Sequence, residues 1–347
     1  MNAPAFARTK VATADLSDPA VSRRIDAFVQ AHDHGTPFHR PQWSRAVQAG
    51  TGAKAHYLVA EQSGAITGVL PLSEVRSALF GASLTSAGFA VDGGILAHGA
   101  EAVAVLTDAA VALAETRNIP TIELRGGTLP PFWKQSEGTY AGFVRDLPQG
   151  EEAILKAIPR KQRAEVRKGL DNQLDASFGR DLDSHFNVYG ASVRNLGSPV
   201  FPRRLFAQML EEFGDDADIL MIAKDGRPLS TVFSLYMNGI VYPYWGGGTA
   251  EARGARANEI LYFELMKHAA ARGCTRFDFG RSKLGTGAFA FKKNWGFEPR
   301  PLVYASWGQH RDTNPMSAKY RFQVAAWKKL PLWAANRLGP VIAKGLG

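Results

Sequence analysis

The 347-residue chain predicts a duplicated α/β fold, and an internal repeat is the main observation behind this prediction. Residues 56–72 (HYLVAEQSGAITGVLPL) have the pattern of strand, glycine turn and strand, and residues 218–235 (DILMIAKDGRPLSTVFSL) repeat it. In both halves a glycine-rich point, an apolar-periodic helix and a short strand follow. Leu124 and Phe279 close the two repeats and lie 155 positions apart (279 − 124), which is the size of an ordinary domain.

The order of elements in each half fixes the expected domain boundaries. The first half places its glycines at 93–94, its helix at 102–117 and its strand at 120–125, and the second half places them at 246–248, 258–272 and 275–279. A basic helix over 151–169 is predicted between the two halves. We therefore expect an N-terminal extension (1–35), a first domain (36–148), a second domain that begins with the basic helix (149–310) and a basic amphipathic C-terminal segment (311–347).

Composition indicates a soluble protein of a reducing compartment. The chain is 45% hydrophobic and 21% charged, which is ordinary for a globular protein. Its single cysteine, Cys274, excludes an internal disulfide and is expected to be a small buried residue. Neither a signal peptide nor a run of about twenty apolar residues is present, so we expect a cytoplasmic protein, with peripheral contact with the inner membrane as a further option.

The net charge of +9 is concentrated in two segments. Residues 156–168 carry six basic side chains against Glu165, and residues 311–347 carry seven against Asp312. Such localised charge predicts contact with a polyanion such as tRNA, with a phosphate or with an anionic membrane. The polyanion-binding candidates are Arg160, Lys161, Arg163, Arg167 and Lys168. The C-terminal segment either lies on an anionic membrane or packs back across the first domain with its cations facing water.

The run 277–297 (FDFGRSKLGTGAFAFKKNWGF) is the strongest candidate for a functional site. An alternating strand leads into a Gly-Arg-Ser turn, a glycine-rich loop and an aromatic element with two lysines. Arg281, Ser282, Lys292 and Lys293 are expected to converge at the mouth of the sheet, where they would stabilise an anionic substrate or a developing oxyanion. The alternative is a strand-loop-strand with core aromatics and solvated lysines.

The remaining motifs favour direct group transfer over metal or covalent chemistry. HExxH, paired CxxC and GxxxxGK[ST] motifs are absent, the histidines are scattered, and no metal site is predicted. An amine that attacks an activated acyl group needs mainly orientation and oxyanion stabilisation. Tyr244 and Trp245, before three glycines, would form aromatic walls of a substrate cleft. Glu259 is either a general base or a first-turn residue that stabilises the helix dipole.

The second half resembles the second domain of the FemAB (FemABX) family. The resemblance is carried by FDFGRS and GTGAFAFKKNWGF, preceded by GGGTAEARGARANEILYFELMKHAAARG, and by PFHRPQW at 37–43 and RKQRAEVRKG at 160–169. The resemblance covers roughly residues 35–310. Within the family, the chain most resembles the FemAB-related proteins that are associated with exosortase/PEP-CTERM exopolysaccharide systems. It implies tandem acetyltransferase-like (GNAT) domains, with mixed, mostly antiparallel sheets flanked by helices, and an acyltransferase.

The resemblance also implies a reaction and a catalytic residue. Relatives move an aminoacyl group from aminoacyl-tRNA to an amine of a peptidoglycan precursor, and their catalytic lysine falls on Lys292, with Arg281 as support. Acyl-CoA is the alternative co-substrate, and no bound cofactor is expected. The loop 251–257 departs from the usual pyrophosphate-binding pattern, so Arg253 and Arg256 would bind phosphate in another way. The acceptor would be a cell-envelope or polysaccharide precursor, and a non-catalytic membrane-surface scaffold is a third hypothesis.

Overall fold

A computed structural model describes residues 8–78, 80–309 and 320–347. These residues form two compact units. The first contains the described residues up to 137 together with 303–309 and 344–347, and the second contains 138–302 and 320–343.

The first unit is built on one sheet with the strand order β1-β2-β3-β4-β6-β15-β7, and β5 pairs with β3. Its strands are β1 (Lys10–Thr13), β2 (Lys54–Gln62), β3 (Ala65–Ser77), β4 (Gly81–Ser86), β5 (Leu96–Ala97), β6 (Thr121–Arg125), β7 (Lys134–Ser136) and β15 (Tyr304–Gly308). Its helices are α1 (Pro19–Ala31), α2 (Pro41–Thr51) and α3 (Ala100–Thr116). Asp18 caps α1 by accepting the Ala20 N–H at 2.7 Å, which fixes where that helix begins.

The second unit has the strand order β14-β8-β13-β12-β11-β10-β9. Its strands are β8 (Tyr140–Asp146), β9 (Asp175–Gly179), β10 (Ala217–Lys224), β11 (Arg227–Met237), β12 (Ile240–Gly248), β13 (Arg276–Lys283) and β14 (Pro299–Pro301). Its helices are α4 (Glu151–Ala157), α5 (Arg160–Leu170), α6 (Leu182–Leu196), α7 (Arg203–Phe213), α8 (Ala252–Ala255), α9 (Ala257–Ala271), α10 (Gly287–Asn294), α11 (Arg321–Lys328) and α12 (Leu332–Ala343).

The predicted duplication is present in both sheets. Ser63 and Gly64 turn the β2–β3 hairpin with φ of 54° and 84°, and Asp225 and Gly226 turn the β10–β11 hairpin with φ of 51° and 73°. Two consecutive positive φ values characterise the type I′ turn, whose twist matches that of the strands it joins. In each unit the helix after the glycine-rich point leads to a strand that pairs in parallel with the third strand of the repeat. The predicted mixed, mostly antiparallel sheets flanked by helices are therefore confirmed.

The parallel pairing is short in both units. Strands β12 and β13 pair only at Ile240↔Arg276 and Val241↔Phe277, and β4 and β6 pair only at Leu84↔Ile122 and one further position. Beyond these positions the two strands diverge, and their facing edges carry backbone groups that no ladder satisfies. We take the region beyond this pairing, between β12 and β13, as the candidate cleft of the second unit.

Four of the expected boundaries differ from the structure. Residues 10–31 form β1 and α1, and β1 pairs with β2, so they are part of the first unit rather than an extension. Strand β8, expected in the first domain, pairs with β13 of the second unit, and β15, expected in the second domain, pairs with β6 of the first. The helices α11 and α12, expected as a separate C-terminal segment, pack on α6 and belong to the second unit. Each of these strands joins its sheet through residues that are distant in sequence. Composition and local patterns do not show such pairing.

Candidate active site

The run 277–297 folds as strand, turn and helix. Strand β13 continues through the expected turn at Arg281 and Ser282, and the chain turns at 284–286. The Thr286 side chain accepts the Phe289 N–H at 3.3 Å and starts α10, which contains Lys292 and Lys293. The second strand of the strand-loop-strand alternative is wrong, because a capped helix follows the turn. Its core aromatics are confirmed, since Phe277, Phe279, Trp295 and Phe297 are buried, and Lys293 is solvated as it expects.

A β-bulge interrupts β13 at the edge of the cleft. Its register with β8 passes from Asp278↔Val144 to Arg281↔Gly142, so one extra residue is accommodated in β13. Gly280 has φ of +65°, a conformation that a side chain would strain. The Asp278 carboxylate accepts the Gly280 N–H at 2.8 Å and closes the bulge. Bulges of this kind redirect neighbouring groups and are frequent next to active sites.

Lys292 reaches back from α10 to this bulge. Its Nζ donates to the carbonyl oxygen of Arg281 at 2.9 Å and to that of Gly280 at 3.3 Å. The Nζ atom also lies 5.5 Å from the ring centroids of Phe143 and Phe279. Burial among these groups lowers the pKa of Lys292 to about 7, with Asp278 opposing the shift and the like charge of Arg281 adding to it. The lysine is therefore fixed in orientation and titrates close to neutrality.

The four residues predicted to converge at the mouth of the sheet differ in burial and position. Arg281 lies beside Lys292, with its guanidinium 4.6 Å above the ring of Tyr140. Ser282 is buried within β13, and Lys293 is exposed on α10. The structure therefore supports a pair of cations, Lys292 and Arg281, as the centre of the candidate site.

The predicted aromatic walls separate into one core residue and one half-buried residue. Trp245 is buried, with its ring centroid 5.0 Å from that of Phe206 and 5.3 Å from that of Phe233. It is a core residue, so its assignment to substrate binding is wrong. Tyr244 is the extra residue of a bulge in β12 and is half-buried.

The glycines after Trp245 serve the packing of the unit. A Cβ added at Gly247 would lie 2.3 Å from Ser192 Oγ, and one at Gly248 would lie 2.7 Å from Asn258 Oδ1. These distances are shorter than any side chain allows, so α6 and α9 can approach β12 only because glycines occupy these positions.

A second cluster joins the start of α9 to the basic helix α5. Arg256 donates from Nε to Glu165 at 2.5 Å and from Nη1 to the carbonyl oxygen of Arg253 at 2.8 Å. Glu259, in the first turn of α9, has its pKa raised by burial, with Arg256 and Arg253 opposing the shift. Arg256 is thus used to hold the loop against α5, whereas Arg253 is exposed.

Four of the five basic candidates on α5 face outward. Arg163 is the exception, since it donates to the carbonyl oxygens of Lys156 at 2.8 Å and of Ile158 at 2.9 Å, at the end of α4. It satisfies the free carbonyls of a helix end, so it is less available for polyanion binding than the other four. The exposed members are Arg160, Lys161, Arg167 and Lys168. Lys168 is in part neutralised by an ion pair with Glu165 at 2.8 Å.

In the first unit, the end of β6 corresponds to the end of β13 and is occupied by the side chain of Arg125. Arg125 ends β6 and is buried; its backbone N–H donates to Ser86 Oγ at 2.8 Å. Its guanidinium donates to the carbonyl oxygens of Ala90 at 2.9 Å and Gly347 at 3.2 Å. The end of β6 therefore carries an internally bonded arginine where the second unit has its bulge and lysine.

Sequence patterns do not single out several groups of the site. Asp278 occupies the polar position of an alternating strand, although its place two residues before a glycine is typical of a side chain that bonds the backbone. Tyr140 and Phe143 fall in the range expected for the other domain. Within the ranges that the structure describes, no group of three or more His, Cys, Asp or Glu side chains could hold a metal. The helices of that same part of the chain include none long and apolar enough to cross a membrane.

Comparison with known proteins agrees with this architecture. The acetyltransferase (GNAT) domain family matches residues 157–293. The lipid II:glycine glycyltransferase of Staphylococcus aureus is 21% identical over 372 aligned residues, covering 78% of this chain and 87% of that protein. The crystal structure of FemX has a TM-score of 0.67 at 15% identity and covers 85% of this chain and 96% of FemX.

A tandem GNAT protein from the clavulanic acid biosynthesis pathway has a TM-score of 0.56 at 12% identity, covering 87% of this chain and 98% of that one. These similarities to FemAB-type and GNAT proteins support an acyltransferase. The matched GNAT region begins before α5 and ends at Lys293, so the bulge and Lys292 of this transferase both fall within it.

Proposed function

We propose that the protein transfers an aminoacyl or acyl group to an amine of a cell-envelope or exopolysaccharide precursor, in the cleft of the second unit. The observation that carries the proposal is the Lys292 amine, held by two backbone carbonyls beside Arg281 where β12 and β13 diverge. Two adjacent cations at the edge of a cleft favour an anionic ligand and the negative charge that develops during acyl transfer.

The proposed reaction is a direct displacement. The acceptor amine attacks the acyl carbonyl carbon, a C–N bond forms, and the C–O bond of an ester donor or the C–S bond of a thioester donor breaks. The amine releases a proton as the leaving oxygen or sulfur regains one. Two of the Lys292 N–H groups are directed at Gly280 and Arg281, so the protonated side chain has a third N–H to offer the tetrahedral oxyanion.

Aminoacyl-tRNA is the donor that we favour over acyl-CoA. The loop before α9 lacks the usual pyrophosphate-binding pattern, and Arg256 within it is engaged with Glu165. The exposed cations of α5 (Arg160, Lys161, Arg167 and Lys168) offer a surface to the tRNA backbone. The S. aureus relative transfers glycine to lipid II, as its name states, which supports a cell-envelope acceptor.

Donor consumption tests the proposal. The purified protein is incubated with charged tRNA or with acyl-CoA, together with amine-containing envelope precursors or amino sugars, and loss of the acyl donor is measured. We expect acceptor-dependent deacylation of the tRNA. Acceptor-dependent consumption of acyl-CoA alone would replace the leading proposal with an acyl-CoA-dependent N-acyltransferase. If neither donor is consumed, both enzymatic proposals fail.

Salt dependence tests the role of α5 separately. Charge reversal of Arg160 and Lys161 should weaken tRNA binding, and the slope of log K against log salt should fall by roughly 0.9 for each phosphate that the protein no longer neutralises. Charge reversal of Lys224 and Arg227, two exposed cations of the β10–β11 hairpin, is the matched control. Equal effects of both changes would refute a specific contact through α5.

We also propose peripheral contact with an anionic membrane at its cytoplasmic face, through α11 and α12. Residues 320–343 contain four basic side chains and no acidic one. Phe322, Trp333 and Val341 are 77%, 73% and 74% exposed, and Arg337 is exposed one turn from both Trp333 and Val341 on α12. Exposed apolar and basic side chains on one helix face are typical of helices that lie in a membrane interface.

Vesicle sedimentation tests this contact. The full chain should bind vesicles rich in phosphatidylglycerol and not phosphatidylcholine vesicles, and Trp333→Ser should weaken binding about tenfold or more. Phe132→Ser, which changes a 98% exposed aromatic residue of the first unit, is the control. Unchanged binding by Trp333→Ser would refute the contact. Strong vesicle binding without donor consumption would favour the non-catalytic scaffold.

A further inference from the structure

Asp278 is an acidic side chain next to the two cations of the proposed site, and the displacement mechanism gives it no role. It lies on β13, is half-buried and is separated from Arg281 by the bulge. A carboxylate that is partly removed from water is costly unless its oxygens accept hydrogen bonds or face positive charge. Asp278 has both kinds of compensation, and both lead to Lys292.

The first connection is through the backbone. Asp278 Oδ1 accepts the Gly280 N–H at 2.8 Å, which holds Gly280 in its left-handed conformation. That conformation sets the direction of the next two carbonyl groups, those of Gly280 and Arg281. These two oxygens accept the hydrogen bonds of Lys292 Nζ. The Asp278 carboxylate therefore holds the bulge at Gly280, and the bulge places the two carbonyl groups that orient Lys292.

The second connection is electrostatic. Burial raises the pKa of Asp278, while the Gly280 N–H and the positive charges of Lys292 and Arg276 lower it. In return, Asp278 opposes the lowering of the Lys292 pKa that burial and Arg281 cause. Each group therefore favours the charged form of the other.

The other polar groups around α10 do not take over this task. Arg145, on β8, donates from Nη1 to the Trp295 carbonyl oxygen at 2.9 Å and is itself positive. Tyr262, on α9, has its ring 4.6 Å from that of Phe279, and burial raises its pKa to about 12, so it stays neutral. Lys293, the next residue of α10, is exposed to solvent.

We propose that Asp278 is a positioning residue of this transferase: its carboxylate holds the Gly280 bulge in the shape that receives Lys292, and its negative charge stabilises the lysine ammonium beside Arg281. The catalytic meaning of this arrangement rests on the proposed function, whereas the arrangement itself belongs to the folded protein. Asp278 contacts the lysine's acceptors rather than the reacting atoms.

Asp278→Asn separates the two connections, because an asparagine oxygen still accepts the Gly280 N–H but carries no charge. The reactivity of the Lys292 amine is measured in the full chain without substrate, by acetic anhydride labelling from pH 5 to 10 and peptide mass spectrometry. The adjacent Lys293 serves as the internal standard. We expect the labelling midpoint of Lys292 to move down by about one pH unit or more in Asp278→Asn. Glu298→Gln, which removes an exposed acid nearby, should leave it in place.

The bulge is tested by Gly280→Ala and Asp278→Ala, which disturb its conformation and its side-chain bond. Both should broaden and shift the pH dependence of Lys292 labelling, because the amine leaves its carbonyl acceptors. Far-UV circular dichroism checks that each variant is folded. An unchanged Lys292 midpoint in folded Asp278→Asn would overturn the electrostatic role, and unchanged labelling in Gly280→Ala would overturn the positioning role.

Transfer assays then add a readout that a purely structural residue would not give. The alkaline limb of kcat/KM in Asp278→Asn should move to lower pH in parallel with the labelling midpoint, and the change should fall on kcat more than on KM. If the labelling midpoint of Lys292 moves but the alkaline limb of kcat/KM does not, the link between Asp278 and catalysis is overturned. If no transfer is found with any donor, the proposed function fails, and the labelling experiment still decides the role of Asp278.

Discussion

Replacing Lys292 with methionine should make the protein more stable near pH 7.5, despite the loss of two hydrogen bonds. Burial lowers the pKa of this lysine from 10.5 to about 7 in the folded protein. Between these values the unfolded chain binds one more proton than the folded one, so the free energy of unfolding of the wild type falls as pH decreases. Methionine has a similar shape and does not titrate, so the variant lacks this pH-dependent loss of stability.

The magnitude follows from the two pKa values. At about 1.4 kcal/mol per pH unit, the lysine lowers the free energy of unfolding by about 4 kcal/mol at pH 7.5 and by about 1 kcal/mol at pH 9.5. The variant loses the bonds to Gly280 and Arg281, at about 1 kcal/mol each. It should therefore be about 2 kcal/mol more stable than the wild type at pH 7.5 and slightly less stable at pH 9.5.

Urea unfolding of both proteins at the two pH values measures this difference. Other titrating groups are common to wild type and variant, so their contributions cancel. The change in relative stability between pH 7.5 and pH 9.5 should be about 2–3 kcal/mol. Lys293→Met, one residue away on the exposed side of α10, should show no such change. A pH-independent difference between Lys292→Met and wild type would refute the idea that burial sets the state of this lysine. Under the proposed function the stabilised variant should also be inactive.

Further predictions concern the reaction and the fold. If the Lys292 ammonium stabilises the oxyanion, kcat/KM should fall as pH rises through about 7, and a rise through the same pH would indicate a general base instead. Arg163→Ala should lower stability by about 1–3 kcal/mol, measured by urea unfolding, because the carbonyl oxygens at the end of α4 lose their donor, and it should leave tRNA affinity unchanged. Gly247→Ala should destabilise by about 1–3 kcal/mol through its clash with Ser192, whereas Gly254→Ala, with open space around it, should be nearly neutral.

The local order of elements was predictable because it depends on near neighbours in sequence. The type I′ hairpin at Asp225 and Gly226 follows from residues that tolerate positive φ between alternating strands. The helix α9 follows from the apolar spacing of Ile260, Leu261 and Leu265, all of them buried. The duplication is visible for the same reason, since each repeat encodes its own hairpin and helix.

Pairing between distant segments was not predictable in the same way. The sequence 140–146 has the alternation of a strand, yet nothing within it indicates that it pairs with β13 rather than with the first sheet. Trp245 follows Tyr244 beside three glycines, a pattern equally consistent with a ligand cleft and with the core that it joins. Arg163 has the composition of a polyanion contact, and only the position of the α4 carbonyls gives it another role.

The sequence by itself determined the two α/β repeats and, through the family resemblance, indicated Lys292 as the central residue of the candidate site. It could not determine the state of that lysine, because a pKa depends on what surrounds the amine in space. The bulge at Gly280, the carboxylate of Asp278 and the rings of Phe143 and Phe279 come together only when β8, β13 and α10 pack. Burial among these groups brings the pKa of Lys292 to about 7, and so the tertiary structure decides what this residue can do.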